Sequence, residues 1–165
     1  MPPRPERILL FRSGRHLRTA LDALAAAAPG STVTVVATPG GVPALDEAGV
    51  PQAQRILYDR TAFFQPWAFL TSAAGLRVLR QRFDRVCVLW TDPDGTGHAN
   101  VDRTALVVSP RGFTAITADG RLIVHATGPV MRREIGRALT SLGLGALLAL
   151  FVFLPARVLR PFRAS

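Results

Sequence analysis

Seventeen consecutive residues without a charge, 138–154 (ALTSLGLGALLALFVFL), limit what the rest of the chain can build. Arg132, Arg133 and Arg137 stand before this run, and Arg157, Arg160 and Arg163 stand after it. As a helix it would extend roughly 25 Å, somewhat less than a ~30 Å hydrocarbon layer, unless Arg157 reaches back to the interface with its aliphatic stem. The run therefore predicts a membrane anchor over residues 131–165 with its hydrophobic core at 138–154. Residues 1–130 remain, enough for one compact domain and too few for two of ordinary size.

Arginines number three on each side of the run, so the positive-inside rule does not orient it. The first apolar stretch, 8–11, is much shorter than the about 7–15 apolar residues of a secretory signal. These features predict a cytoplasmic-membrane protein with its soluble domain on the cytoplasmic side. Within the run, Ser141, Gly145 and Ala149 recur every four residues, a small-residue stripe that would allow a homodimer through the anchor. Pro155 offers a second geometry, in which the helix breaks and 158–162 lie along the surface of one leaflet.

All 20 basic residues are arginine, against 11 acids. Residues 132–165 hold six of those arginines and only Glu134, a net +5, while the remainder of the chain carries +4. Basic residues flanking an apolar run are attracted to anionic headgroups, so membrane lipid is the partner this charge points to. No interleaving of arginines with exposed aromatics suggests base stacking, and nucleic acid is not expected. The single cysteine, Cys87, lies in the apolar run 85–90 and fills core volume.

Residues 1–130 alternate short apolar runs with amphipathic stretches, which predicts stacked βα units. Strands are expected at 8–11, 32–37, 55–58, 85–90, 113–117 and 122–125. Helices are expected at 17–28, closed by Pro29-Gly30, at 43–48, at 99–108, and as one long helix from the aromatic loop at 63–67 to Gln81. In that long helix the spacing turns Phe69, Ala73, Leu76 and Leu79 inward and Arg77, Arg80 and Gln81 outward. The uninterrupted apolar character of 85–90 marks a central strand covered on both faces. The fold class is α/β: a single Rossmann-like, mostly parallel sheet with helices on both faces, followed by the membrane helix.

Ligands of such sheets bind beyond the carboxyl ends of the strands, which singles out two loops. Arg12, Ser13, Gly14, Arg15 and His16 follow the first strand and combine hydrogen-bond donors, a glycine and the amides of a helix N-terminus, a set suited to a phosphate. One glycine also makes an ordinary strand-to-helix turn with solvated arginines. Asp92, Asp94 and His98 follow the fourth strand: Asp92 or His98 could act as a base toward a hydroxyl, and Asp94 could join Asp92 in holding a diphosphate through a divalent cation. Pro-Asp-Gly is equally turn chemistry, and a polar residue before a helix is a cap. Asn100, Asp102 and Arg103 read as a solvated face with a local ion pair, and His125 as a strand histidine with a backbone partner. Three scattered histidines and one cysteine give no metal-ligand spacing, and neither a Gly-x-Ser-x-Gly elbow nor a Walker loop occurs. The residues identify no particular cofactor.

The opening Ile8-Leu9-Leu10-Phe11-Arg12-Ser13-Gly14, the helix at 17–28 with Pro29-Gly30, the strand at 32–37 and the run Phe83-Asp84-Arg85-Val86-Cys87-Val88-Leu89 together resemble the N-terminal half of glycosyltransferase family 9, the heptosyltransferase-like enzymes. The resemblance covers about residues 7–107 and implies the acceptor-binding half of a GT-B fold, working in envelope glycan or glycolipid assembly. In that family the first loop carries a Gly-Asp step whose aspartate is the base; here Arg15-His16 stands in its place. The donor-binding half has no counterpart in this sequence, so the resemblance implies either a partner glycosyltransferase chain or a non-enzymatic adaptor that binds a nucleotide sugar, a polyprenyl phosphate or a protein.

Overall fold

The computed structural model describes residues 5–12, 15–59, 64–92 and 97–126. Within them six strands form one sheet in the order β3-β2-β1-β4-β5-β6. β1 (Arg7–Arg12), β2 (Thr32–Ala37), β3 (Arg55–Leu57), β4 (Arg85–Leu89) and β5 (Gly112–Ile116) run parallel, and β6 (Leu122–Ala126) returns antiparallel at the edge. The expected α/β class with a mostly parallel sheet is therefore correct. The anchor at 131–165, its core at 138–154 and its small-residue stripe lie outside the described residues, and no helix among the described residues is long and apolar enough to cross a membrane.

The strand order follows from the side chains. Ile8, Leu9, Leu10 and Phe11 are all fully buried, a run apolar on both faces that belongs in the middle of a parallel sheet. β2 pairs with one side of β1 (Leu9 opposite Thr34) and β4 with the other (Leu9 opposite Val86). Alternation then sorts the core into two layers. Ile8, Leu10, Val35, Ala37, Cys87 and Leu89 meet Leu17, Ala20 and Leu24 of α1 (Leu17–Ala27) and Leu45 of α2 (Val42–Glu47). Leu9, Phe11, Val36, Ile56, Val86 and Val88 meet α3 (Pro66–Leu70), α4 (Ala73–Arg80) and α5 (Ala99–Val108) on the opposite face.

That second face is anchored by four rings. Phe11, Tyr58, Phe64 and Phe69 lie with centroids 5.3 to 6.0 Å apart, mostly edge to face, which adds about 0.5–1.5 kcal/mol per pair beyond the area buried. At the centre of β4, Cys87 has no exposed surface, and burial pushes its thiol up to about 12. An ion pair between Arg85 and Glu6 at 3.0 Å and the Arg7 amide donating to Asp84 at 2.8 Å fasten the amino ends of β1 and β4 together.

One expected element is corrected. The single long helix ending at Gln81 is two helices, α3 and α4, interrupted at Thr71-Ser72. The Ser72 hydroxyl donates to the Phe69 carbonyl at 2.6 Å and accepts from the Gly75 amide at 3.0 Å, so one side chain ends the first helix and caps the second. Restarting the helix rephases it: Ala74, Gly75 and Val78 face the sheet, while Ala73, Leu76 and Leu79, expected inside, are exposed.

The break also explains Gly75. A Cβ there would sit 1.9 Å from the Phe69 carbonyl oxygen, backbone that cannot yield. Gly75→Ala is expected to destabilise the domain by about 1–3 kcal/mol, as an overpacked core site does. Chemical denaturation followed by the fluorescence of buried Trp90 measures this, and an unchanged midpoint would refute it.

Candidate functional site

Because β1 lies between β2 and β4, the chain leaves β1 toward α1 on one face and leaves β4 toward α5 on the other. The carboxyl ends of these two strands thus border the topological switch point, where open α/β sheets hold their ligands. Arg12 and Leu89 share a register position there. Both loops singled out in the sequence accordingly open at one edge of the sheet. Ser13, Gly14 and Asp94 lie outside the described residues.

Arg12 is half buried at the end of β1. Its guanidinium lies against Gly41, in the 3-10 turn Pro39–Gly41 after β2; a Cβ on Gly41 would come within 2.5 Å of Nη1. Nε is buried without a hydrogen-bond partner, and Arg12 has no ion pair among the described residues. Burial lowers its pKa from the ordinary value, although a guanidinium remains charged at any physiological pH. Five residues on, α1 begins without a side-chain cap, its first-turn amides unanswered by His16. Arg15 and His16 are both exposed. A partly desolvated cation therefore sits close in sequence to an uncapped helix N-terminus, on the α1–α2 side of the sheet.

The residues after β4 have a different character. His98 is 7% exposed, and its Nε2 accepts the Thr91 amide at 3.0 Å. A ring nitrogen that accepts carries no proton, so His98 is neutral, in agreement with a pKa lowered by burial and only partly restored by Asp92. The Asp92 carboxylate, 3.9 Å from that same nitrogen, is a neighbour of the imidazole rather than an ion-pair partner. Beside it the Trp90 indole stacks on His98 with ring centroids 6.4 Å apart and donates to the buried Asp102 carboxylate at 3.0 Å. His125 of β6 closes the cluster, 5.0 Å from Trp90 and 5.1 Å from Phe113, centroid to centroid.

Two residues thus differ from their reading in the sequence. Asp102, expected on a solvated face beside Arg103, is a buried acceptor that fixes Trp90. Its position was legible only indirectly, since Val101 and Ala105 form the inward stripe of α5 and Asp102 adjoins it. His98 spends its accepting nitrogen on the loop backbone, and action as a base would require releasing the Thr91 amide. Asp92, with 56% of its side chain exposed, is the carboxylate open to a ligand. Gly41 is the contributor that no sequence signal indicated, because it matters only through its contact with Arg12.

Among the described residues no group of three or more histidines, cysteines or carboxylates could hold a metal ion. A concavity of 640 Å³ lined by Phe83, Arg85, Arg111 and His125 lies at the amino ends of β4 and β5, away from the switch point. Comparison with protein-family models, curated proteins and solved structures finds no match.

The His98 geometry gives the domain a pH dependence of defined sign. A folded pKa below the ordinary 6.5 means that the unfolded chain binds the proton first. This contribution to stability is complete above pH 6.5 and is lost as pH falls through the lower folded value. His98→Gln, whose amide oxygen can still accept from Thr91, is expected to flatten the fall in unfolding midpoint on acidification. Thermal unfolding across a pH series checks this; parallel wild-type and variant profiles would refute it.

Proposed function

We propose that this chain is a membrane-tethered, Rossmann-like domain that binds a phosphate-bearing ligand at the switch point, in envelope glycan or glycolipid assembly. Arg12 carries this reading. A guanidinium held partly out of water, with Nε unanswered and no carboxylate paired to it among the described residues, has the donors an anion needs. The uncapped amides of α1 support the same class of ligand, and exposed Arg15 and His16 stand close enough in sequence to add donors. Phosphate on a nucleotide sugar and phosphate on a polyprenyl chain share this chemistry. The glycosyltransferase resemblance favours both, and the arginine-fenced run at 138–154 favours the lipid-linked one.

Binding without transfer is the function the geometry supports best, because His98 is committed to the loop backbone and Arg15-His16 replaces the family's aspartate. A second reading rests on Asp92, whose exposed carboxylate at the end of β4 is free to accept a proton from an acceptor hydroxyl. Under that reading a partner chain supplies the donor half, and the assembled pair transfers sugar.

Titration of the detergent-solubilised full chain with a nucleotide sugar, a polyprenyl phosphate and inorganic phosphate separates the sources. Arg12→Ala is expected to weaken the ligand that binds by roughly tenfold to a hundredfold, the range of one charge-assisted contact. Asp92→Ala should leave binding intact and remove only transfer, if transfer occurs with a partner. Affinity unchanged by Arg12→Ala would refute the switch-point site.

A further inference from the structure

The two helical layers that sandwich the sheet have unlike outer surfaces. On the α1–α2 side charges of both signs occur, including an Arg18–Asp22 pair at 3.2 Å. On the α3–α4–α5 side the only acid in the three helices is Asp102, which is buried against Trp90. Arg77, Arg80 and Arg103 are exposed there, and Arg77 and Arg80 have no ion pair among the described residues. This layer also carries four exposed large apolar side chains: Trp67 at 78%, Leu79 at 51%, Leu76 at 47% and Val107 at 43%. α3 packs against both α4 and α5, and Phe69, Val78 and Ala105 supply the inward contacts of all three, so these four belong to the side away from the sheet.

We infer that the outer surface of the α3–α4–α5 layer lies on an anionic lipid bilayer. An indole left mostly in water by the fold suits the headgroup region, where an amphipathic ring satisfies both its apolar body and its N–H. Leu76 and Leu79 would enter the acyl boundary, and Arg77 and Arg80 beside them would reach lipid phosphates. The absence of exposed carboxylates from the three helices removes the repulsion that an anionic surface would otherwise meet. The interruption at Ser72 creates this face: an unbroken helix in the phase read from the sequence would have turned both leucines inward. The inference rests on the membrane-tethered reading for the presence of a bilayer, whereas the face itself is read from the helices alone.

The test uses the full chain reconstituted into vesicles of phosphatidylcholine, with or without phosphatidylglycerol and with or without chains brominated near the headgroup. Trp67 and Trp90 are the two indoles, and Trp67→Phe isolates the signal of buried Trp90, which also reports that each variant is folded. Brominated lipid is expected to quench Trp67 in the anionic vesicles. Leu76→Glu with Leu79→Glu, and separately Arg77→Gln with Arg80→Gln, should each reduce that quenching by about half or more. Flotation reports the tether separately. Vesicle-bound protein whose Trp67 stays open to iodide and untouched by bromine overturns the face while leaving the tether. Flotation only on anionic vesicles, reversed by salt and with Trp67 quenched, sustains the face and removes the tether. Equal quenching in neutral vesicles overturns the anionic surface, and Trp67 shielded from both quenchers identifies a second copy of the chain as the occupant. No flotation on either lipid overturns both readings.

Discussion

The structure depends on one constraint: the backbone of β1 can reach no water. Ile8 to Phe11 have no exposed surface, so every amide and carbonyl between them must be paired within the sheet. β2 supplies one ladder and β4 the other. With both flanks occupied, β3 and β5 can only extend the sheet outward, and the helices must divide between its two faces. The switch point is where that division occurs. Arg12 is the first residue of the strand whose side chain meets solvent at the carboxyl end, which places a charge at the rim of the most thoroughly desolvated part of the molecule.

The rim therefore has two physically different halves. On the α1–α2 side Arg12 Nε and the side-chain cap position of α1 have no acceptor among the described residues, a state that favours an anion from solution. On the α5 side the polar groups have satisfied one another: Thr91 with His98, and Trp90 with Asp102. Under the proposed binding role, the α1–α2 half would hold the ligand while the α5 half braces the rim. Trp90 stacked on His98, Phe113 stacked on His125, and the tilted Trp90–His125 contact between the two pairs join the end of β4 to β5 and β6.

Much of the fold was legible in the sequence because its signals are local. β2 and α5 have the bounds that their apolar spacing indicates, and Gly30, Gly49 and Gly120 take the positive φ that their turns require. The failure in the α3–α4 region has an equally local cause. A capping serine inside a helical periodicity is invisible to a count of apolar positions, yet its two hydrogen bonds reset the helix phase by the residues skipped. The candidate site was legible as loops and not as roles. Sequence position brought Arg12 and His98 to the same rim, but only packing decides that one is unanswered and the other engaged. Asp102 shows the same limit, since its charge argues for solvent, whereas its partner in space is an indole twelve residues earlier in the chain.

The burial of Cys87 has a consequence for following this molecule in a mixture. Its sulfur sits at the middle of β4, hydrogen-bonded neighbours on either side, and burial with a pKa of about 12 withholds both access and thiolate. A thiol reagent can reach it only after the two central ladders separate, so the alkylation rate measures how often the sheet opens through its core. The chain thereby contains its own chemical clock for global opening, with a single reactive atom and no introduced label.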